Sequence, residues 1–121
     1  MVLQIVNKNF SIYKVKEITS NILENEFTFV GTTDNELSII SESQFVPNEV
    51  LKVEHGWKCL RIAEDAPFEK YGMIAFLANI ISAQKTSTLV VGTYDTDYVF
   101  VKKEKFEQVI QALKNNDCSF V

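Results

Sequence analysis

Apolar residues fall along this chain in two rhythms. Met73, Phe76, Leu77, Ile80 and Ile81 keep the i, i+3, i+4, i+7, i+8 spacing of one helix face, and Phe106, Val109, Ile110 and Leu113 are spaced the same way. Elsewhere apolar residues come in short runs bounded by turn-forming residues, as strands do. The C-terminal half therefore reads as strand (57–62), helix (from 73), strand (88–93), strand (97–102), helix (around 106–113) and a last short strand (118–121). A unit of that order folds as an antiparallel sheet with both helices on one face.

The N-terminal half offers similar elements in a different order. Residues 3–6 and 10–15 read as strands joined by a turn at Asn7-Lys8-Asn9, and 16–24 as a short helix carried by Ile18, Ile22 and Leu23. A hairpin follows at 27–32 and 36–41, then one helical turn at 43–46 before Pro47, then an irregular piece through Val53. No sixth strand follows, so 3–6 is expected to take its place, which makes this half a circular permutation of the other. The boundary at Val53-Glu54-His55-Gly56 has no Ser-, Gly- or Pro-rich linker. The expected fold is thus α+β, with two closely packed βαββαβ-type units over 1–55 and 56–121, each a four-stranded antiparallel sheet with helices on one face.

The two hairpins share a phrase. Val30-Gly31-Thr32-Thr33-Asp34-Asn35-Glu36 recurs 61 positions later as Val91-Gly92-Thr93-Tyr94-Asp95-Thr96-Asp97. Repetition of a strand–turn–strand unit points to duplicated folds, and a seam between near-copies suits a small ligand. The plainer alternative is that Gly-Thr-x-Asp is good turn chemistry used twice.

Composition narrows the function. At 46% apolar and 23% charged the chain is expected to build a packed interior. A net charge of −4 with no basic stripe argues against a nucleic-acid partner. No apolar run is long enough for a membrane span, and the first residues do not resemble a signal peptide, so a soluble cytoplasmic protein is expected. Cys59 and Cys118 have no metal-ligand spacing, and Cys59 in an apolar run reads as a buried reduced thiol. His55, the single histidine, reads as an exposed loop residue. With no base to partner a Ser or Cys nucleophile, with Asp95 and Asp97 read as solvated turn carboxylates, and with no metal or cofactor implied, the expectation is that this is not an enzyme.

Three stretches carry a family resemblance: Thr33-Asp34-Asn35-Glu36-Leu37-Ser38-Ile39-Ile40, Gly56-Trp57-Lys58-Cys59-Leu60-Arg61, and Thr93-Tyr94-Asp95-Thr96-Asp97-Tyr98-Val99-Phe100-Val101-Lys102-Lys103-Glu104. They resemble small tandem ACT-domain proteins, bacterial relatives of the ACT modules in the CASTOR arginine sensors. The resemblance implies ferredoxin-like units and a regulatory protein that binds amino acids or similar ligands at interfaces between paired domains. The chain departs from the family pattern at Ala66-Pro67-Phe68-Glu69-Lys70-Tyr71-Gly72, where the loop is shortened. A glycine usual before the next strand is missing from Lys85-Thr86-Ser87-Thr88. Where the arginine sensors place an acid, Lys70 would repel arginine, so a neutral or acidic ligand is expected.

An α-amino acid needs donors for its carboxylate and acceptors for its ammonium. Gly72 at a helix start lets a ligand approach the backbone, and the peptide groups of Tyr71, Gly72 and Met73 are the candidate donors. Acceptors would come from Asp95, Asp97 and the carbonyls of the Thr93, Tyr94, Asp95 and Thr96 turn, with Phe68 and Tyr94 walling the ligand from water. Against this, Gly72 serves equally well for tight helix packing, and Asp95 for capping its own turn. The first-half turn Thr32-Thr33-Asp34 lacks a Gly72-like helix start, so one site per chain is expected. A ligand-free dimerisation or interaction module is the competing reading. A homodimer fits both, and the sensor reading adds a regulated protein partner.

Overall fold

The computed structural model describes residues 1–19, 21–64 and 71–121. Its elements are β1 (Val2–Lys14), β2 (Phe29–Thr32), β3 (Leu37–Glu42), β4 (Lys52–Ile62), α1 (Met73–Ala83), β5 (Thr88–Gly92), β6 (Asp97–Lys102), α2 (Lys103–Asn115) and β7 (Ser119–Phe120). Short 3-10 turns lie at Ile22–Glu24 and Ser43–Phe45. Two units emerge: Met1–Asn7 together with Lys58–Val121, and Lys8–Trp57. The chain passes between them twice, inside β1 and inside β4.

In the first unit the strands stand in the order β7-β1-β4-β6-β5. Period-2 alternation aims Leu60 and Ile62 of β4, and Val99 and Val101 of β6, at one face. Leu77 and Ile81 of α1 and Phe106, Val109, Ile110 and Leu113 of α2 bury against them. Both helices keep their expected places, although Phe76 stays 39% exposed rather than facing the core. α1 ends where Lys85 takes φ +59°, the left-handed conformation that glycine adopts without penalty. The lysine therefore stands in the kind of position for which the sequence pattern wanted glycine.

In the second unit the order is β2-β3-β1-β4. β1 pairs antiparallel with β3 from Phe10↔Glu42 to Lys14↔Ser38, and the Leu51 amide donates to the Lys14 carbonyl at 2.8 Å. These strands follow the unpermuted βαββαβ order, with the start of β4 as fourth strand. The expected permutation is therefore corrected. Residues 3–6 form no hairpin with 10–15, because β1 runs unbroken through Asn7, Lys8 and Asn9, all exposed. Instead Leu3 belongs to the first unit. Ala63 donates to the Val2 carbonyl at 2.9 Å on one side, while Ser119 and Val121 donate to Met1 and Leu3 at 3.0 and 2.9 Å on the other. The missing last strand is the start of β4, which begins at Lys52 and runs through the residues read as the boundary, while 47–51 is irregular as expected; the helix expected over 16–24 shrinks, among the described residues, to the turn Ile22–Glu24.

The hairpins do repeat, but not at the spacing of the shared phrase. Thr33 donates to the Glu36 carbonyl at 2.9 Å and Thr93 to the Thr96 carbonyl at 2.8 Å, which places equivalent residues 60 apart rather than 61. At that offset β3 and β6 run through the same succession of half-buried and buried positions. A one-residue slip in a strand swaps faces, so the matching letters of the two copies are not structural equivalents. Asp97 corresponds to Leu37, and Gly92 to Thr32. No helix among the described residues is long and apolar enough to cross a membrane.

Candidate functional site

Two pieces of the first unit carry the expected ligand groups. One is the turn between β5 and β6. The Thr93 hydroxyl donates to the Thr96 carbonyl at 3.0 Å and accepts from the Thr96 amide at 3.4 Å, so it locks the turn. Thr33 does the same in the other hairpin, accepting from the amides of Asn35 and Glu36 at 3.1 Å. The Thr96 hydroxyl donates to the Ile62 carbonyl at 2.5 Å, tying the turn to the end of β4. Both threonines are thus engaged in holding the loop. Tyr94 and Asp95 lie exposed at its tip, and Asp97 opens β6 opposite Gly92. A Cβ placed on Gly92 would sit 3.1 Å from the Asp97 Oδ1, so the glycine gives that carboxylate its room.

The other piece is the start of α1. Gly72 is its N-cap at φ +83°, and among the described residues no side chain caps the helix and nothing lies within 4 Å of the point where a Cβ would stand. Its carbonyl accepts the Phe76 amide at 3.0 Å, the first turn of the helix. The amides of Met73, Ile74 and Ala75 precede that bond and have no partner within the helix. Met73 packs its side chain against the core, so it offers only its backbone, and Tyr71 is 97% exposed. Phe68 and Lys70 lie outside the described residues. The structure gathers Thr93, Tyr94, Asp95, Thr96 and Asp97 in one turn. It places Tyr71, Gly72 and Met73 at the head of the helix that follows β4.

Arg61 extends the polar surface of β4, donating to Gln4 Oε1 at 3.0 Å and the Tyr98 hydroxyl at 3.1 Å. Among the described residues no three His, Cys, Asp or Glu side chains converge as a metal site would require. Cys59 is fully buried, and loss of solvation pushes its thiol up to about 12. A thiol so protonated is a poor nucleophile.

Sequence reasoning missed a polar cluster in the second unit. Ser11 and Ser41 are cross-strand partners and fully buried. Ser11 Oγ lies 2.7 Å from Ser43 Oγ and 2.6 Å from His55 Nδ1, and the Tyr13 hydroxyl lies 2.8 Å from Ser41 Oγ. Burial raises the Tyr13 pKa, against the pull of that hydrogen bond. His55 is exposed as expected, but it stands in β4 rather than in a loop. The available signal was serine within apolar strand runs, since a strand serine facing a core needs a polar partner. Beside the cluster, in the same unit, lies a cavity of about 350 Å³.

Comparison with known proteins follows the same lines. The ACT domain profile matches residues 52–115, just over half of the chain. The crystal structure of a structural-genomics protein from Agobacterium tumefaciens overlays with TM-score 0.89 at 25% identity, covering 99% of this chain and 91% of that one. A Vibrio cholerae protein of unknown function, described as a possible transport protein, gives 0.71 at 20% identity, covering 92% and 85%. The regulatory subunit of aspartate kinase from Thermus flavus gives 0.66 at 8% identity, covering 93% and 95%. No curated protein sequence matches significantly.

Proposed function

The chain belongs to the ACT-domain family, and on that premise we propose that it is a non-catalytic regulatory protein that binds a small ligand, an α-amino acid, beside α1. The observation that carries this is the helix start at Gly72, which among the described residues has no side-chain cap and nothing within 4 Å of where a Cβ would stand. A ligand carboxylate there would meet the amides of Met73, Ile74 and Ala75 and the positive end of the helix dipole. Asp97 and the carbonyls of the 93–96 turn would take the ammonium. Lys70, two positions before Gly72 in sequence, favours a neutral or acidic side chain over arginine. The likeness in fold to an aspartate kinase regulatory subunit supports a regulatory role. In this reading Lys8–Trp57 is a second, reduced ACT-type unit, and the protein works in the cytoplasm through a regulated protein partner.

Thermal shift against the twenty amino acids tests the proposal. A ligand at about 100 times its Kd adds about 2.7 kcal/mol of stability. Gly72→Trp and Asp97→Ala should each remove that gain while the protein stays folded. Stabilisation by arginine exceeding that by citrulline would contradict the role given to Lys70, and no stabilisation by any amino acid would end the sensor reading. A second reading, a ligand-free dimerisation module, draws on β5, the edge strand of its unit, where Val90 is 42% exposed. A homodimer in sedimentation that Val90→Lys dissociates, in a protein that no amino acid stabilises, would favour it.

A further inference from the structure

The cavity of about 350 Å³ belongs entirely to Lys8–Trp57 and plays no part in the site beside α1. Its origin is visible in the repeat. In the first unit, Val99 and Val101 are covered by two helices, whereas their counterparts Ile39 and Ser41 lie in a unit whose described residues include only 3-10 turns. Those turns cover less of the sheet than helices would. The space left is within the range of small-molecule pockets, about 300–1,000 Å³.

Its chemistry is two-sided. Val15, Ile22, Ile39 and Val50 give it aliphatic walls, of which Val15, Ile22 and Ile39 are buried core residues. Tyr13 also lines it. The Tyr13 hydroxyl lies 2.8 Å from Ser41 Oγ, and the Ser41 hydroxyl is within 3.1 Å of the Glu42 carbonyl, so the pair is engaged within the protein. Among the described lining residues, exposed Glu17 and Glu49 stand against one cation, Lys16, a net negative rim. An anionic head group is disfavoured at the rim. A cationic head is favoured at the rim, with an apolar body behind it.

We propose that this cavity binds a small amphipathic amine, its branched aliphatic or single-ring body among Val15, Ile22, Ile39 and Val50 and its ammonium beside Glu17 and Glu49. The charges are solvent-exposed, so they select the head group while the aliphatic walls supply most of the affinity.

Isopentylamine and isovalerate share one branched body and differ in head-group charge, which makes them the probes. Titrated into the ¹⁵N-labelled full chain, isopentylamine should give saturable shifts centred on Val15, Ile22, Ile39 and Val50. Isovalerate should bind about tenfold more weakly, because attraction to two carboxylates becomes repulsion. Glu49→Gln should weaken the amine by about two- to fivefold and leave isovalerate unweakened. Val50→Phe should abolish binding of both, and Val50→Leu, which adds one methylene and is easier to accommodate, should weaken both. Gly72→Trp should leave isopentylamine binding unchanged, so failure of the site beside α1 and failure of this one are separable. Non-saturable or scattered shifts, equal affinity for the two probes, or full binding by both Val50 variants would overturn the proposal.

Discussion

Leu3→Ala tests whether the first strand belongs to the core of the unit formed mainly by the C-terminal half. Leu3 is fully buried among Leu60, Leu77, Val101 and Leu113, residues from two strands and two helices. Its strand is hydrogen-bonded on both sides, so the backbone has little freedom to collapse into the space a smaller side chain leaves. Removing a fully buried Leu side chain costs its transfer free energy plus a cavity term, about 3–4 kcal/mol here within the usual range of about 2–5. Folded domains exceed their unfolded states by only about 5–15 kcal/mol, so this is a large fraction of the total. With a urea m-value of about 1–3 kcal/mol/M, the unfolding midpoint should fall by about 1–4 M. Ile5→Ala is the control, since Ile5 on the same strand is 38% exposed and should cost under about 1 kcal/mol. Equal midpoints for the two variants would refute the placement of β1 in that core.

Two further outcomes follow from particular contacts. Thr93→Val and Thr33→Val each remove the hydroxyl that locks a turn and should cost about 1 kcal/mol apiece in urea unfolding; a cost at one turn only would break the equivalence at an offset of 60. Below its ordinary 9.0, Cys59 is protonated both folded and unfolded. Between there and about 12 only the unfolded chain releases the proton, so stability falls as pH rises across that window. Cys59→Ala should flatten that fall in unfolding midpoints measured from pH 8.5 to 10.5, and an unchanged slope would show that the buried thiol does not cause it.

What the sequence revealed depended on whether local pattern and packing agreed. α1 and β6 were legible because helical spacing and alternation coincide with the buried faces of Leu77, Ile81, Val99 and Val101. The unbroken β1 was not, because Asn7-Lys8-Asn9 is good turn chemistry. Those side chains are exposed where the strand passes from one unit to the other, so polarity there carries no turn information. The shared phrase misled by one residue for a similar reason: Thr33 and Thr93 lock equivalent turns, while the neighbouring letters match out of register. Of the candidate site, Gly72 and the 93–97 turn were readable from local chemistry. The cavity beside Tyr13 was not, since its lining comes from separate stretches of chain that no motif links.

The twofold passage of the chain between units also sets an order of events during synthesis. Lys8–Trp57 is contiguous, so its strands can find one another while later residues are still being added. Val2 and Leu3 must wait for Ser119 and Phe120, the partners that flank them across almost the whole sequence. Closing so long a loop is slow, and until it happens an apolar leading strand has an open edge. Until that pairing forms, the edge at Val2 and Leu3 is open to a strand of another chain.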